Sequence, residues 1–427
     1  MSLKFGLSLP QGWTMDLASI KDPVEAYEAM TRVAQTADEV GFDSVWLVDH
    51  FHTVPHPSQE VTFESWTTTA ALARDTKRIR VGQTVTCNGY RNPALLAKMA
   101  STVDVLSHGR LNFGIGAGWF EHEYRAYGYD YPETPDRLRR LAEAVQVILA
   151  MWTQEEAVFE GTYYQVRGAI NQPKGVQKPH IPLLIGGGGE KVTLKLVAQY
   201  GDACNVGGDL PTIQHKFAIL KQHCETVGRD YESIHRTVAG FCSIGESDEQ
   251  ARAKVPQAVL DRFRSGNRIY SDLIGSPATI REHLAELEAA GVQEVILGCP
   301  ATGYAALLRA RVHCFVTMVQ FAPQGLQGGN GPLGVVGDPH RLTTPSALGT
   351  IRIKLRMAGA SRRGEGGWDV DGWALVANTF QIGTSGVASA NCLEPRGRTT
   401  MTTKSSKRSP GSNGLGTGTL RFLGLYF

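Results

Sequence analysis

Over its first 300 residues the chain alternates short apolar runs with stretches of helical period, and that alternation leaves few folds open. The apolar runs are Leu3–Leu9, Ser44–Val48, Ile79–Val85, Leu111–Ile115, Pro182–Ile185, Ala203–Val206, Thr237–Ile244 and Glu294–Leu297. Each has the length and apolar density of a buried parallel strand. Between them the period changes. From Pro23 to Val40, the residues Ala26, Met30, Val33, Ala37 and Val40 fall on one helical stripe, and Gly41 stands where a left-handed cap belongs. Ser276-Pro277 opens another helix as N-cap and first-turn proline; Ile280, Leu284 and Leu287 form its buried face and Gly291 closes it. Parallel strands need crossover connections, so eight such units predict a closed (β/α)8 barrel, with a doubly wound open sheet as runner-up. Two segments break the rhythm: Trp119–Thr134 after strand four, and Phe159–Lys178 before strand five, where Phe159–Val166 reads as a hairpin. Insertions after barrel strands usually help to build an active site.

Composition adds exclusions. With 42% hydrophobic and 20% charged residues in 427, the chain is neither disordered throughout nor collagen-like. No apolar run approaches the roughly 18 residues that cross a bilayer, so no membrane association is expected. The start, Met1–Pro10, reads as a first strand rather than a signal peptide. Seven scattered cysteines without CxxC spacing suit reduced thiols, and a cytoplasmic location is expected. Residues 1–300 carry 29 Lys and Arg against 36 Asp and Glu, whereas 301–427 carry 14 against 5 and 21 of the 48 glycines. The basic charges of that tail are scattered and lack interleaved aromatics, which argues against nucleic-acid binding. The division expected is a barrel domain over 1–322 and a low-complexity, irregular and disordered Gly-rich extension over 323–427. Ala305–Val319 is a candidate for part of a last barrel helix.

Four places carry candidate chemistry. Strand two ends in Asp49-His50-Phe51-His52, and a polar pair at the carboxyl end of a barrel strand points to the catalytic face. Histidine there suits proton transfer. His50-Phe-His52 also invites a metal reading, but strands five and eight end without a His, Asp or Glu to complete a ligand set, so no metal is expected. Strand four runs into Gly114-Ile-Gly116-Ala-Gly118-Trp119, glycines that allow close backbone approach to a flat ligand or simply turn the chain. Strand five runs into Gly186-Gly187-Gly188-Gly189-Glu190 before a helix whose stripe includes Val192, Leu196 and Val197, an arrangement suited to phosphate. The end of strand three adds Tyr90 and Arg91, which could meet a ring or an anion, or form a helix-entry turn.

Asp49-His50-Phe51, Tyr90-Arg-Asn-Pro93, Gly114-Ile-Gly-Ala-Gly-Trp-Phe-Glu-His-Glu-Tyr-Arg-Ala-Tyr-Gly128 and Ile185-Gly-Gly-Gly-Gly-Glu190 together resemble the bacterial luciferase-like oxidoreductase family, and within it the coenzyme F420-dependent branch. The resemblance covers roughly residues 3–300. It implies a TIM barrel that binds F420, or alternatively FMN, at the carboxyl ends of its strands. The coenzyme's phosphate would rest on Gly187, Gly188 and Gly189, with Gly116 and Gly118 close by. Its ring would lie against a bulge in strand three, where a non-proline cis peptide is expected at Thr84–Val85. Catalysis would fall to His50, as proton donor or acceptor during hydride transfer to or from a small organic substrate, with Asp49 beside it. The family's sugar-phosphate dehydrogenases carry a second carboxylate where this chain has Trp119, which argues against glucose 6-phosphate. Trp13, Trp119, Phe120 and His122 would form a more apolar substrate pocket. The alternatives are an FMN-dependent monooxygenase using reduced flavin and oxygen, and a non-catalytic flavin-binding barrel. A reductase supplying reduced cofactor, and a homodimer, are the partners the resemblance implies.

Overall fold

The computed structural model describes residues 3–255, 257, 260 and 273–299, together with the backbone of a short hairpin at 361–363 and 367–369. In chain order its first half contains β1 (Lys4–Ser8), α1 (Pro23–Val40), β2 (Ser44–Leu47), α2 (Ser65–Asp75), β3 (Arg80–Gln83), β4 (Thr86–Cys87), α3 (Pro93–Leu106), β5 (Leu111–Gly116), α4 (Glu121–Ala126) and α5 (Thr134–Thr153). Then come β6 (Glu156–Glu160), β7 (Gln165–Ile170), β8 (Leu183–Gly186), α6 (Thr193–Tyr200), β9 (Ala203–Val206), α7 (Leu210–Val227) and β10 (His235–Phe241). The described part of the barrel unit ends with β11 (Ser243–Ile244), α8 (Asp248–Ala253), β12 (Ile274–Gly275), α9 (Pro277–Ala289) and β13 (Glu294–Gly298).

Strands β3, β2, β1, β13, β10, β9, β8 and β5 lie side by side, and β3 also pairs with β5, so the sheet closes on itself. All of these pairings are parallel, with Leu7 opposite both Val45 and Leu297. The open doubly wound alternative is thereby set aside in favour of the eight-stranded barrel. The antiparallel pair β6–β7 is the hairpin expected before strand five.

Local sequence accounts for the elements. Asp22 caps α1 by accepting from the N–H groups of Val24 and Glu25, Pro23 follows in the first turn, and Gly41 ends the helix at φ +92°. Ser276 caps α9 in the same way. Ala26, Met30, Val33 and Ala37 are buried along α1, and they join the strand residues that point outward under the helices. A separate cluster of Trp46, Leu184, Ala203 and Ile296, with Val85 against it, draws on strands and the strand-three break alone and fills the barrel interior. Fully burying side chains of this size contributes about 1.5–3 kcal/mol each.

Two strands differ from expectation. The run Ile79–Val85 is not one strand: β3 stops at Gln83, the Thr84–Val85 peptide is cis, and pairing with β5 resumes at Thr86. The run Thr237–Ile244 starts earlier, at His235, and divides after Phe241, its last two residues pairing with β12 instead.

The backbone falls into two compact units, 1–328 and 329–427. In the second, β14 (Ser361–Arg363) pairs antiparallel with β15 (Gly367–Asp369), within a stretch to which the sequence assigns no fold. The rest of the expected 323–427 extension, and the candidate helix Ala305–Val319, lie outside the described residues.

Candidate active site

The candidate residues gather on the carboxyl ends of the strands. Past β2 the chain is held by Gln11, which is fully buried: its Nε2 donates to Val48 O (2.9 Å) and Phe63 O (2.6 Å), and its Oε1 accepts from Val48 N–H (2.9 Å). That brings the loop after β1, with Trp13, beside the loop after β2, with His50. The Trp13 and His50 rings stack at 5.4 Å and 19°, while Trp119 and Phe120 meet His50 edge-on at 5.9 and 6.0 Å. Three of the four expected pocket residues therefore surround the expected catalytic histidine. The fourth, His122, faces elsewhere: its Nδ1 lies 3.2 Å from His52 Nε2 and its ring stacks on Phe120.

The residue that sequence reasoning missed is Glu123. It sits on α4, fully buried, with Oε2 2.8 Å from His50 Nδ1. Oε2 also accepts from Tyr90 OH (2.9 Å), and Oε1 accepts from Phe51 N–H (2.7 Å). Burial pushes this carboxyl up, but the contacts with His50, Phe51 and Tyr90 outweigh it and hold Glu123 below the ordinary glutamate value. Glu123 lies four residues beyond Trp119, in the first turn of α4, and from there its carboxylate reaches the histidine. The signal was the Glu-His-Glu run at 121–123, whose first member is solvent-facing and paired with Arg125.

Asp49 is buried with both oxygens engaged: Arg91 binds it at 2.6 and 3.0 Å, and Cys87 N–H donates at 2.9 Å. Burial pushes its carboxyl up, against the pull of Arg91 and the Cys87 N–H. Arg91 also binds Glu64. The anions that Arg91 meets are thus the protein's own, and Tyr90 turns inward to Glu123. Both tie the end of strand three to the loop that carries His50.

Thr84 N–H donates to Leu47 O (2.8 Å), and Val85 packs into the barrel interior. A Cβ on Gly116 or on Gly186 would come within 2.7 Å of Val85, and one on Gly118 within 2.1 Å of the Tyr124 hydroxyl. Glycines at 116 and 118 therefore have a packing reason: they admit Val85 and the Tyr124–Cys87 contact (2.9 Å).

At the end of β8, Gly187 takes φ +125° and its N–H donates to Asn205 O (3.0 Å). No hydrogen bond among the described residues uses the N–H of Gly188 or Gly189. Helix α6 starts at Thr193; Val192 precedes it as a partly exposed cap, whereas Leu196 and Val197 are buried as expected. From α7, Lys216 lays its terminal carbons beside Gly188 and its ammonium on Glu190, and His215 Nε2 lies 3.2 Å from the same carboxylate. Free N–H groups, missing Cβ atoms and a lysine suit a phosphate here.

His52 Nδ1 lies 3.1 Å from Thr53 O, and among the described residues no three His, Cys, Asp or Glu groups are placed to hold a metal ion. Nor is any helix among them long and apolar enough to cross a membrane.

Comparison with known proteins agrees with this geometry. A stretch of 227 residues is 31% identical to an F420-dependent glucose-6-phosphate dehydrogenase of Amycolatopsis mediterranei, covering 52% of this chain and 67% of the relative. Across three such relatives the match spans 63% to 67% of the relative's own length. An F420-dependent secondary alcohol dehydrogenase in complex with an F420-acetone adduct has a similar fold, at 22% identity and a TM-score of 0.58 over 72% of this chain and 98% of that one. So does the oxygenating constituent of a Baeyer-Villiger monooxygenase of Pseudomonas putida in complex with FMN, at 18% identity and 0.59 over 76% and 99%. The profile of the luciferase-like monooxygenases matches residues 3–272, and with the closed barrel and the motifs on its carboxyl face the chain belongs to that family of oxidoreductases.

Proposed function

We propose that the chain transfers a hydride between coenzyme F420 and a small organic substrate, with His50 moving the accompanying proton. The observation that carries this reading is the state of His50: Nδ1 is held by a buried carboxylate, and no hydrogen bond among the described residues uses Nε2. An imidazole fixed in this way works as a general acid or base. When bound, the deazaflavin supplies two-electron hydride chemistry. Gly187, Gly188 and Gly189 would hold its phosphate, with Lys216 beside them, and Thr84, Val85, Gly116 and Gly118 the vicinity of its ring. Asp49, locked by Arg91, holds the His50 loop in place. Trp13, Trp119 and Phe120 exclude water from the imidazole and favour a substrate with an apolar body. The names of the sequence relatives support the cofactor, whereas Trp119 in place of a carboxylate argues for a substrate other than a sugar phosphate.

The second reading is an FMN-dependent monooxygenase, favoured by the likeness to a barrel solved with FMN. It would need a reductase to supply reduced flavin. A homodimer is proposed for either, and sedentation velocity of the full chain would check it by giving twice the 46.4 kDa monomer mass. A barrel that binds flavin without turnover is the third reading.

Fluorescence-quenching titration of the full chain with F420 and with FMN separates these. Tight binding of F420 alone is expected. His50→Ala should bind it within about twofold of wild type yet lose about 10²–10⁴-fold in turnover, the usual share of a general acid–base. Preference for FMN with oxygen uptake would move the assignment to a monooxygenase, and turnover indifferent to His50→Ala would remove the histidine from the mechanism.

A further inference from the structure

We propose that Glu123 is the positioning residue of His50, fixing the neutral ring as its Nδ1–H tautomer and leaving Nε2 as the lone pair that faces the pocket. The inference rests on reading His50 as the proton-moving group. Its physical basis is the division of labour between the two carboxylate oxygens. Oε1 is taken by backbone donors, Phe51 N–H at 2.7 Å and His52 N–H at 3.4 Å. Oε2 faces two side chains, His50 Nδ1 at 2.8 Å and Tyr90 OH at 2.9 Å. An ionised carboxylate only accepts, so both of those groups must donate, and the proton of a neutral His50 ring belongs on Nδ1. Turning the ring over would place a C–H against Oε2 and leave that buried, charged oxygen with Tyr90 OH as its one side-chain donor, which is costly. The stack on Trp13 and the edges of Trp119 and Phe120 hold the ring plane.

The same division makes one substitution decisive. In Glu123→Gln the two backbone N–H groups keep the amide oxygen at the Oε1 position, so the amide nitrogen falls at Oε2. It can donate to Tyr90 Oη and to His50 Nδ1 without moving a heavy atom. His50 must then accept at Nδ1 and carry its proton on Nε2, turning the group that faces the pocket from a base into a donor. A carboxylate that merely supported the loop would let the fold survive in Gln without inverting the ring.

The test is nitrogen NMR of the full chain labelled with ¹⁵N-histidine, with the His50 signals assigned by their absence in His50→Ala and read at a pH where the ring is neutral. Wild type should show a protonated Nδ1 and an unprotonated Nε2, and Glu123→Gln the reverse, with turnover falling about 100-fold at unchanged F420 affinity. Wild type with its proton on Nε2, or a Gln variant with an unchanged tautomer, overturns the proposal. Should Glu123→Gln fail to fold, the wild-type spectrum still decides, and Tyr90→Phe should keep the wild-type tautomer because it removes only a second donor from Oε2. If F420 fails to bind while Nδ1 carries the proton, the functional reading falls and the role of Glu123 in fixing the ring stands. If F420 binds and His50→Ala abolishes turnover while Nε2 carries the proton, the role of Glu123 falls and the functional reading stands.

Discussion

At the end of β8 one lysine sets the charge of the glycine loop. Gly188 and Gly189 offer N–H groups to an anion, but the next residue, Glu190, brings a carboxylate to the same turn. Lys216 offsets it, and its hydrogen bond is the main reason the Glu190 carboxyl sits below its ordinary value, with His215 adding to the effect. The pair is partly exposed, so its own contribution to stability is small. Its consequence is for binding. Lys216→Met should weaken F420 about tenfold and flatten the salt dependence of binding, Lys216→Arg should keep most of the affinity, and Glu190→Gln should tighten it. Fluorescence titrations at low and high salt check this; Lys216→Met with wild-type affinity and salt slope would refute it. The glycine run stood out in the sequence because four glycines in a row leave a strand and lead into a helix, and that it holds a phosphate is part of the proposed function. Lys216 did not stand out, because it lies 26 residues from Glu190 on another helix, and Glu123, 73 residues from His50, was hidden for the same reason. Pairings of that separation are set by barrel closure, which periodicity does not encode.

Among the elements, the loop between β1 and α1 places Trp13 on His50, and it folds around Asp16. One oxygen of Asp16 accepts from Gly12 N–H (2.6 Å), the other from Thr14 OH (3.0 Å). Burial nevertheless raises its carboxyl to about 6, the hydrogen bonds offsetting only part of the effect. Folded Asp16 therefore keeps its proton at a pH where the unfolded chain has lost it. Between about pH 4 and pH 6 the folded state binds more protons, and stability from this group falls as pH rises. The melting temperature of wild type relative to Asp16→Asn should drop across that window, whereas parallel curves would show that Asp16 does not titrate in it. Elements with a clear period were legible: α1 begins and ends where its stripe and caps place it. The break in strand three was not readable from the pattern, since Gln83 and Thr84 between Val81 and Val85 are equally compatible with one continuous strand, and the expectation of a cis peptide came from resemblance. Helix α4 escaped notice because six residues cannot display a helical stripe.

At the scale of the whole molecule, the barrel separates the chemistry from a second polar cluster at the opposite end. Glu294, Ser44 and His235 are the first residues of β13, β2 and β10. Glu294 Oε1 accepts from Ser44 OH and from Trp46 Nε1 (3.2 Å), and Oε2 lies 2.9 Å from His235 Nε2, so one buried carboxylate ties three strands across the floor. Burial pushes Glu294 up, yet His235, Ser44 and Trp46 together hold it below the ordinary value. For a depressed carboxyl the sign is opposite to that of Asp16: its stabilisation is present above the unfolded glutamate value of about 4.3 and is lost as pH falls below it. Glu294→Ala, which leaves the Ser44 and Trp46 donors and His235 without their acceptor, should destabilise the barrel by about 1–3 kcal/mol. Glu294→Gln should lose less and flatten the acid limb of the stability curve. Because the side-chain hydrogen bonds of Glu294, Ser44 and His235 among the described residues reach neither His50 nor the glycine loop, F420 affinity of the folded variants should stay within about twofold of wild type. Urea unfolding against pH, with F420 titrated in parallel, checks both halves. A lowered unfolding midpoint with intact binding would place stability and chemistry at opposite ends of the barrel, as parallel (β/α)8 architecture expects, whereas a matching loss of affinity would show that the floor governs the mouth.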